Sequence, residues 1–515
     1  MPSVRAERPG AAALLGWLTD PDAPRLCLVT GGPGLLDWLA AHGPRAAGRH
    51  RSARALVPLT GRTALGTAWA VADHLGVVAA SPGDLVRALA TSDTGRAART
   101  VLLLPDLHAA AEPLRVAELL AELARTRRVR LVVETRPDTP EQALLAAAGR
   151  HTEVTDDETA EAPTPPPALL PPDPSGPDLF DPDRVCAADP VAVTTGYVRD
   201  EGEQHGGLRT AWLRAGQALC AARTPADRAL VLLCALGDGA DPRLRPALTR
   251  LAEPAPWRVC WTRVTGDVAP PWPGPVAALA AQGGTLLAAD LGGTVRLLAA
   301  ADARPLGRLD HPVTGRVTAL APAPDGTVLL LDERGRLHTV RGREPRPPYL
   351  RRLTEAVTTT LTRHPGTALA AIGGSVVVGD RLGSVHAFGL TGLHQAALHS
   401  GRVTAVAAVE SATPFVCSGG TDGTVRRWTP GQDPDPAPLT ERRAPVVSLA
   451  AAETPHGPFL AAAWADGTVE LHCLEQETRH AFRPGPPVRA VTVTEDGALV
   501  VGLDEALVRL ERHPD

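Results

Sequence analysis

Three glycines stand where a buried strand gives way to a helix. Leu26-Cys27-Leu28-Val29 reads as the strand, Gly31-Gly32-Pro33-Gly34 as the turn, and the helix begins at Leu35. The chemistry open to such a turn is anion binding. Gly31, Gly32 and Gly34 can offer backbone N–H groups at the positive end of the helix with no side chain in the way. Asp106 follows the apolar run Val101 to Leu104 through Pro105, and Arg136 follows the run Leu131 to Val133. Each has a plainer reading. The turn is structural, Asp106 caps the next turn of the chain, and Arg136 is a surface or salt-bridged arginine.

The order of strand, Gly-rich turn and helix over Leu26 to Trp38 resembles the opening of a P-loop NTPase. Under that resemblance Asp106 takes the place of the acid that holds magnesium. Leu131-Val132-Val133-Glu134-Thr135-Arg136-Pro137 resembles the later strand and terminal arginine of signalling NTPases of the NACHT and related type. Those proteins often carry a helical middle and a C-terminal repeat array, and the order of segments here fits that plan.

The departures from it are chemical. A working loop reads Gly-x-x-x-x-Gly-Lys-Ser/Thr, whereas Gly34 passes directly into Leu35-Leu36-Asp37-Trp38. The second glycine, the lysine and the hydroxyl are missing, and Asp37 would repel a phosphate. Leu107, His108 and Ala109 follow Asp106, so no general base is at hand. The chain has no lysine and no asparagine, and Ile372 is its single isoleucine. Without lysine there is neither a P-loop cation nor a Schiff base. The expectation is a degenerate P-loop domain with no catalytic residue, metal or cofactor. ATP binding is the alternative, through Arg25, Arg45 or Arg136 or a partner that completes the site.

Four apolar runs separated by helical patterns carry this site: Leu26 to Val29, Leu56 to Leu59, Val101 to Leu104 and Val129 to Val133. Such runs point to a parallel sheet covered on both faces. Val116, Leu119, Leu120 and Leu123 place a helix over Leu114 to Arg125. Arg125, Arg127, Arg128 and Arg130 read as its solvated end. Residues 156–179 are dominated by Asp, Glu and Pro and form a semi-rigid linker. Residues 180–255 read as a helical bundle. Its signals are the apolar spacing of Leu208 to Ala222 and the helix start Thr224-Pro225-Ala226-Asp227, a device repeated at Asp241-Pro242.

Residues 256–515 repeat. Asp-Gly-Thr-Val or a variant recurs, and Gly293, Gly335, Gly383, Gly423, Gly467 and Ala506 are separated by 42, 48, 40, 44 and 39 residues. A four-stranded propeller blade has about that length. Six blades follow, or seven if a degenerate blade is present. The chain ends soon after the strand Leu507 to Leu510, so Arg258 to Val264 is expected to close the ring as the outer strand of the last blade. Asp422, Gly423, Thr424 and Trp428 resemble the ending of a WD repeat, and Asp466-Gly467 resembles it more weakly. The Gly-His pair that usually precedes a WD blade survives at most as Asp310-His311 and His399-Ser400. The resemblance covers about half the chain and implies a protein-interaction platform rather than an enzyme.

The remaining constellations are modest. Asp325-Gly326, Asp422-Gly423, Asp466-Gly467 and Asp496-Gly497 suit tight turns better than acid catalysis. Asp73-His74 is a helix end. Trp257, Trp261 and Trp272 read as core at a junction. Arg351, Arg352, His338 and His386 are placed near blade ends, facing the central channel. The seven cysteines are scattered with no Cys-x-x-Cys, which suits reduced thiols in the cytoplasm. A net charge of -5 gives no case for nucleic acid or an anionic membrane. No signal peptide or membrane span is indicated. The architecture expected is multidomain, α/β then α then all-β. The function expected is a non-catalytic scaffold or sensor that binds protein partners through the propeller, with oligomerisation open. A NACHT-like signalling ATPase and a small-ligand-binding or catalytic propeller are the alternatives.

Overall fold

The computed structural model describes residues 9–31, 34–42, 54–91, 100–126, 128–156, 177–264, 275–323, 326–340, 348–372, 374–389, 392–409 and 414–513. Gly32, Arg45, Trp272, Asp325 and most of the Pro-rich linker therefore lie outside the described residues. The chain divides into two compact units. One holds residues 1–205 with 219–221, and the other holds 206–218 with 222–515. The helices of residues 180–255 are shared between them.

The first unit is built on a parallel five-stranded sheet. Its strands are β1 (Leu26–Thr30), β2 (Arg54–Leu56), β3 (Thr100–Leu104), β4 (Val129–Glu134) and β5 (His151–Thr155), in the order β2-β3-β4-β1-β5. Leu26 pairs with Leu131 on one side and with His151 on the other. The apolar runs bury alternate residues on opposite faces. Leu26, Leu28, Leu102, Leu104, Leu131 and Val133 join one core. Cys27, Val29, Val101, Leu103, Val132 and Val154 join the other. Helices α1 (Pro9–Thr19) and α2 (Leu35–His42) cover the second face. Helices α3 (Ala64–Leu75), α4 (Pro82–Thr91), α5 (Pro113–Arg125) and α6 (Pro140–Ala147) cover the first.

Two sequence expectations shift here. The second strand ends at Leu56, although Val57 and Leu59 still donate backbone hydrogen bonds to Leu103 and Pro105. Pro58 cannot continue the ladder as a donor. Arg130 is not part of a solvated helix end. It sits within β4, buried, with its guanidinium 3.8 Å over the Trp17 ring and Nη2 donating to Trp17 O at 2.7 Å.

The second unit is dominated by a β-propeller of six sheets. Their innermost strands are Val276–Gln282, Val317–Pro322, Ala368–Ile372, Val403–Val409, Val446–Thr454 and Val488–Val493. Each touches the next, and the last touches the first, so the ring is closed. The sixth blade takes its outer strand from Trp257–Val264, which pairs antiparallel with Ala506–Arg512, Leu507 facing Arg263. Closure by the residues expected to provide it removes the free edges of the ring. Trp257 and Trp261 are buried, and Trp261 Nε1 donates to Ala300 O at 3.0 Å.

Blade 2 departs from the repeat. It has three strands among the described residues, Val317–Pro322, Val328–Asp332 and Leu337–Val340. A helix, Pro348–Arg363, follows the third strand in the chain and packs against blades 2 and 3. Its Leu353, Val357 and Leu361 are buried with Leu329, Leu331, Leu337, Val376 and Val378. Arg351 and Arg352 are exposed on this helix and do not lie at a blade end facing the channel. The i, i+4 spacing of Leu353, Val357 and Leu361 turns Arg351 and Arg352 to the opposite side.

Two helix starts before the propeller test the capping signals. Thr224 forms the expected capping box with Asp227 ahead of Pro225–Ala235. Asp241 accepts from Arg243 N at 2.9 Å, but the next helix begins at Leu244 and Arg243 is its N-cap.

Candidate functional site

The repeated turn between the second and third strands of each blade follows from its residues. At blade 4, Asp422 Oδ1 accepts from Thr424 N at 3.1 Å and Thr424 Oγ1 at 2.9 Å, while Oδ2 accepts from Ser400 N at 3.1 Å. Gly423 has φ +80°, and a Cβ there would lie 2.1 Å from Arg442 O. Only glycine fits that approach. Asp290, Asp332, Asp380 and Asp466 accept from backbone N–H groups of their own turns in the same way. These acids build turns, and at Asp422 and Asp466 the Asp-Gly pair in the sequence implies it.

Across the boundary of blades 3 and 4, His399 Nδ1 lies 3.1 Å from Asp422 Oδ1 and from Thr424 Oγ1, and Nε2 lies 2.9 Å from Ser418 Oγ. The His399 side chain is fully buried. Burial alone would raise the Asp422 carboxyl, but hydrogen bonds from His399 and from Ser400 and Thr424 N–H hold it well below the usual carboxylate range. Trp428 closes the blade from beneath. It is buried, and its Nε1 donates to Gln432 O at 3.0 Å.

At the next boundary an arginine stands in for the histidine. Arg442 Nη2 donates to Asp466 Oδ2 at 2.9 Å and to Thr468 Oγ1 at 3.1 Å, and Nη1 lies 3.3 Å from Glu470 Oε1. Its guanidinium lies 5.6 Å from the Trp464 ring centroid. Sequence reasoning missed Arg442 and Glu470. The available signal was spacing, since Arg442 precedes Asp466 by one residue more than His399 precedes Asp422. His338 and His386 do not face the channel. Each lies on a third strand and bonds the turn acid of its own blade at 2.9 Å, His338 to Asp332 and His386 to Asp380.

The inner strands, which line the channel, carry Ala, Val, Leu and Thr. Glu453 and Arg489 are their only charged residues. The turns between second and third strands and the loops between blades share one face of the ring, because strands alternate in direction.

In the first unit, Gly31, Gly34, Asp106, Arg136 and Asp156 all follow the C-terminal ends of strands. Gly31 and Gly34 both have φ +82° and are exposed. A Cβ on Gly31 would lie 2.4 Å from Asp156 O. Asp106 is left-handed at φ 60°, and its Oδ2 accepts from Thr60 Oγ1 at 3.2 Å. Arg136 is exposed, and its carbonyl accepts from Thr139 Oγ1. Arg25 is committed to Thr126 O at 2.6 Å. Asp37 lies in the first turn of α2. Glu134, at the end of β4, was not singled out in the sequence. Burial first, then the charges of Asp106 and Asp37, push its carboxyl up to about 7, although Asp106 N–H donates to it. This edge is acidic, and among the described residues no group of three or more His, Cys, Asp or Glu is arranged to hold a metal.

Residues 393–429 match the family model of the WD domain, G-beta repeat. The match runs from the outer strand of blade 3 to Thr429, just past Trp428, so the His399–Asp422 junction lies inside it. The C-terminal part of the chain is thus a closed six-bladed β-propeller that carries a WD repeat at residues 393–429. Among solved structures, the computationally designed Ika8 protein is similar at 21% identity and a TM-score of 0.31, covering 46% of this chain and 71% of that one. The WD40 β-propeller domain of Doa1 is similar at 13% identity and a TM-score of 0.36, covering 50% of this chain and 97% of that domain. No curated protein matches the chain. The ring and the matched repeat define the class, not these distant likenesses.

Proposed function

We propose that this protein is a non-catalytic intracellular scaffold or sensor that recruits protein partners through the propeller, with the α/β unit as a docking or regulatory module. WD-repeat propellers are generally protein-interaction scaffolds. The observation that carries the reading is the state of the propeller's acids. The turn carboxylates are committed to backbone N–H groups, to His338, His386 and His399, or to Arg442. The inner strands offer no cluster of acids and bases. Recognition by loops on a rigid ring is what such a surface can do. Seven free cysteines support a reducing compartment. Among the described residues no helix is long and apolar enough to cross a membrane. A photo-crosslinking residue placed at Leu291, a second-to-third-strand turn, tests the reading. Discrete protein adducts from that face, absent when the residue replaces Leu306 in an outer strand, are expected.

Nucleotide binding is a second reading, favoured by one feature. α2 leaves β1 on one face while α6 leaves the adjacent β4 on the other. Ligands of open α/β sheets bind at such a divergence, outside the C-terminal strand ends. Against it stand the missing lysine and the acids Asp37, Asp106 and Glu134. Calorimetric titration with magnesium ATP, and with ADP for comparison, decides between them. Saturable binding at micromolar nucleotide would overturn a purely structural turn at Gly31 and Gly34. No heat at millimolar nucleotide retires the ATPase for the isolated chain.

A further inference from the structure

The turn of blade 3 and the loop leading into blade 4 meet through one hydrogen bond, Val403 N donating to Asp380 O at 2.9 Å. Arg381 and Arg402 are the residues directly beside that bond, one on each blade, and both are exposed. Neither guanidinium has a hydrogen-bond or ion-pair partner among the described residues. The acids nearest in sequence cannot answer them, because Asp380 bonds His386 and its own turn while Asp422 bonds His399, Ser400 N and Thr424. The two cations feel each other. Burial, then the charge of Arg381, makes Arg402 easier to deprotonate than an ordinary arginine. Leu382, next to Arg381, is 86% exposed, the most exposed of the large apolar side chains among the described residues.

Two adjacent cations without a counter-charge are unfavourable in the free protein, and an apolar side chain held in water is unfavourable too. A single ligand relieves both if it brings carboxylates to the arginines and an apolar group to Leu382. We propose that Arg381, Arg402 and Leu382 form a docking patch for a protein segment carrying acidic residues beside an apolar one. The fork of donors on each arginine suits carboxylates held in bidentate fashion. The patch rests on the reading of the propeller as a partner-binding scaffold and adds the chemistry of the partner. A nucleic acid would use the phosphate contacts but leave Leu382 in water, and the chain's net charge of -5 disfavours it.

A random-peptide display library selected against the full chain tests the patch. Enriched peptides should share Asp or Glu next to a large apolar residue. In fluorescence anisotropy a labelled enriched peptide should bind at least ~10-fold more weakly to Arg381→Glu and to Arg402→Glu, and more weakly to Leu382→Asp. Its affinity should fall as salt rises. All three side chains are exposed, so circular dichroism and thermal unfolding should be unchanged. Arg304→Glu, in a loop on the opposite face, should bind as the parent does. Peptides without acidic residues, or binding kept by Arg381→Glu and Arg402→Glu, would overturn the patch and leave the scaffold standing. So would an RNA oligonucleotide that competes for the same arginines as well as the peptide does.

Discussion

His399 and Asp422 lie 3.1 Å apart across the boundary between blades 3 and 4, the histidine fully buried and the acid holding three further donors. One carboxylate thus fixes its own turn, the entrance to its blade and the junction with the neighbouring blade. Removing it leaves Ser400 N, Thr424 N and His399 without their acceptor. Asp422→Ala should cost roughly 2–4 kcal/mol. Asp422→Asn, which keeps one acceptor oxygen, should cost less. Urea unfolding followed by tryptophan fluorescence measures both, since Trp428 lies in blade 4 and Trp464 Nε1 donates to Gly423 O beside Asp422.

The same chemistry sets a direction with pH. Burial pushes the carboxyls of Asp332, Asp380 and Asp422 up, but their hydrogen bonds from histidines and turn N–H groups outweigh it and hold all three below the usual range. An acid depressed in the folded state binds its proton more readily when unfolded. Its stabilisation is therefore present above the unfolded value of about 4 and is lost as pH falls through the folded value. Propeller stability should decline below pH ~4. Replacing Asp332 and Asp380 by Asn should lower stability at neutral pH and flatten the acid limb. Thermal unfolding across an acid pH series is the measurement.

Glu134 works in the opposite sense. Burial, with Asp106 and Asp37, raises it to about 7. Between the unfolded value of about 4.5 and about 7 the folded state holds the extra proton, so stability falls as pH rises through that window and then levels off. Glu134→Gln keeps an acceptor for Asp106 N–H and removes the charge. It should raise the unfolding temperature of the α/β unit at pH 8 and change it little at pH 5. An equal effect at both would sink this account.

How much of this was legible in the sequence depends on how local each cause is. Asp422-Gly423-Thr424 and the strands on either side are written in adjacent residues, so the blades could be read, with six counted and seven left open, and the closing strand was placed at Arg258 to Val264, one residue short of its start. The sheet strands were legible because both faces are buried and the runs are uninterrupted. Arg442 was not, because its partners Asp466 and Glu470 come later in the chain and meet it only when blades 4 and 5 pack. Glu134 was hidden for a similar reason, since Asp37 and Asp106 reach it only through the order of strands. Arg130 looked like one of a solvated run, yet strand pairing places it over Trp17. The helix at Pro348–Arg363 left a trace in the step of 48 residues from Gly335 to Gly383, the longest in the repeat.

Gly423 offers a test of backbone rather than side-chain chemistry. At φ +80° with Arg442 O 2.1 Å from a built Cβ, Gly423→Ala should destabilise by more than about 1 kcal/mol. Gly16→Ala is the matched control. It lies within helix α1 with open space around it, so alanine there should stabilise by roughly 0.5–1 kcal/mol. Denaturation of the two variants beside the parent should move in opposite directions.

The helix of blade 2 makes the last prediction. Leu353, Val357 and Leu361 turn one face of Pro348–Arg363 onto Leu329, Leu331 and Leu337, beside the third strand Leu337–Val340. That strand has no fourth strand on its outer side among the described residues, and an uncovered edge can pair with another chain. The helix contributes apolar burial between blades 2 and 3, and whether it also covers that edge is what two variants decide. Leu361→Ala removes burial alone and should cost roughly 2–4 kcal/mol. Val357→Asp puts an unpaired charge into the contact and should release the helix. It should produce concentration-dependent association, seen as a rise in light scattering, at temperatures where Leu361→Ala is still monodisperse. If both variants lose stability without associating, the helix serves the core and the edge needs no cover.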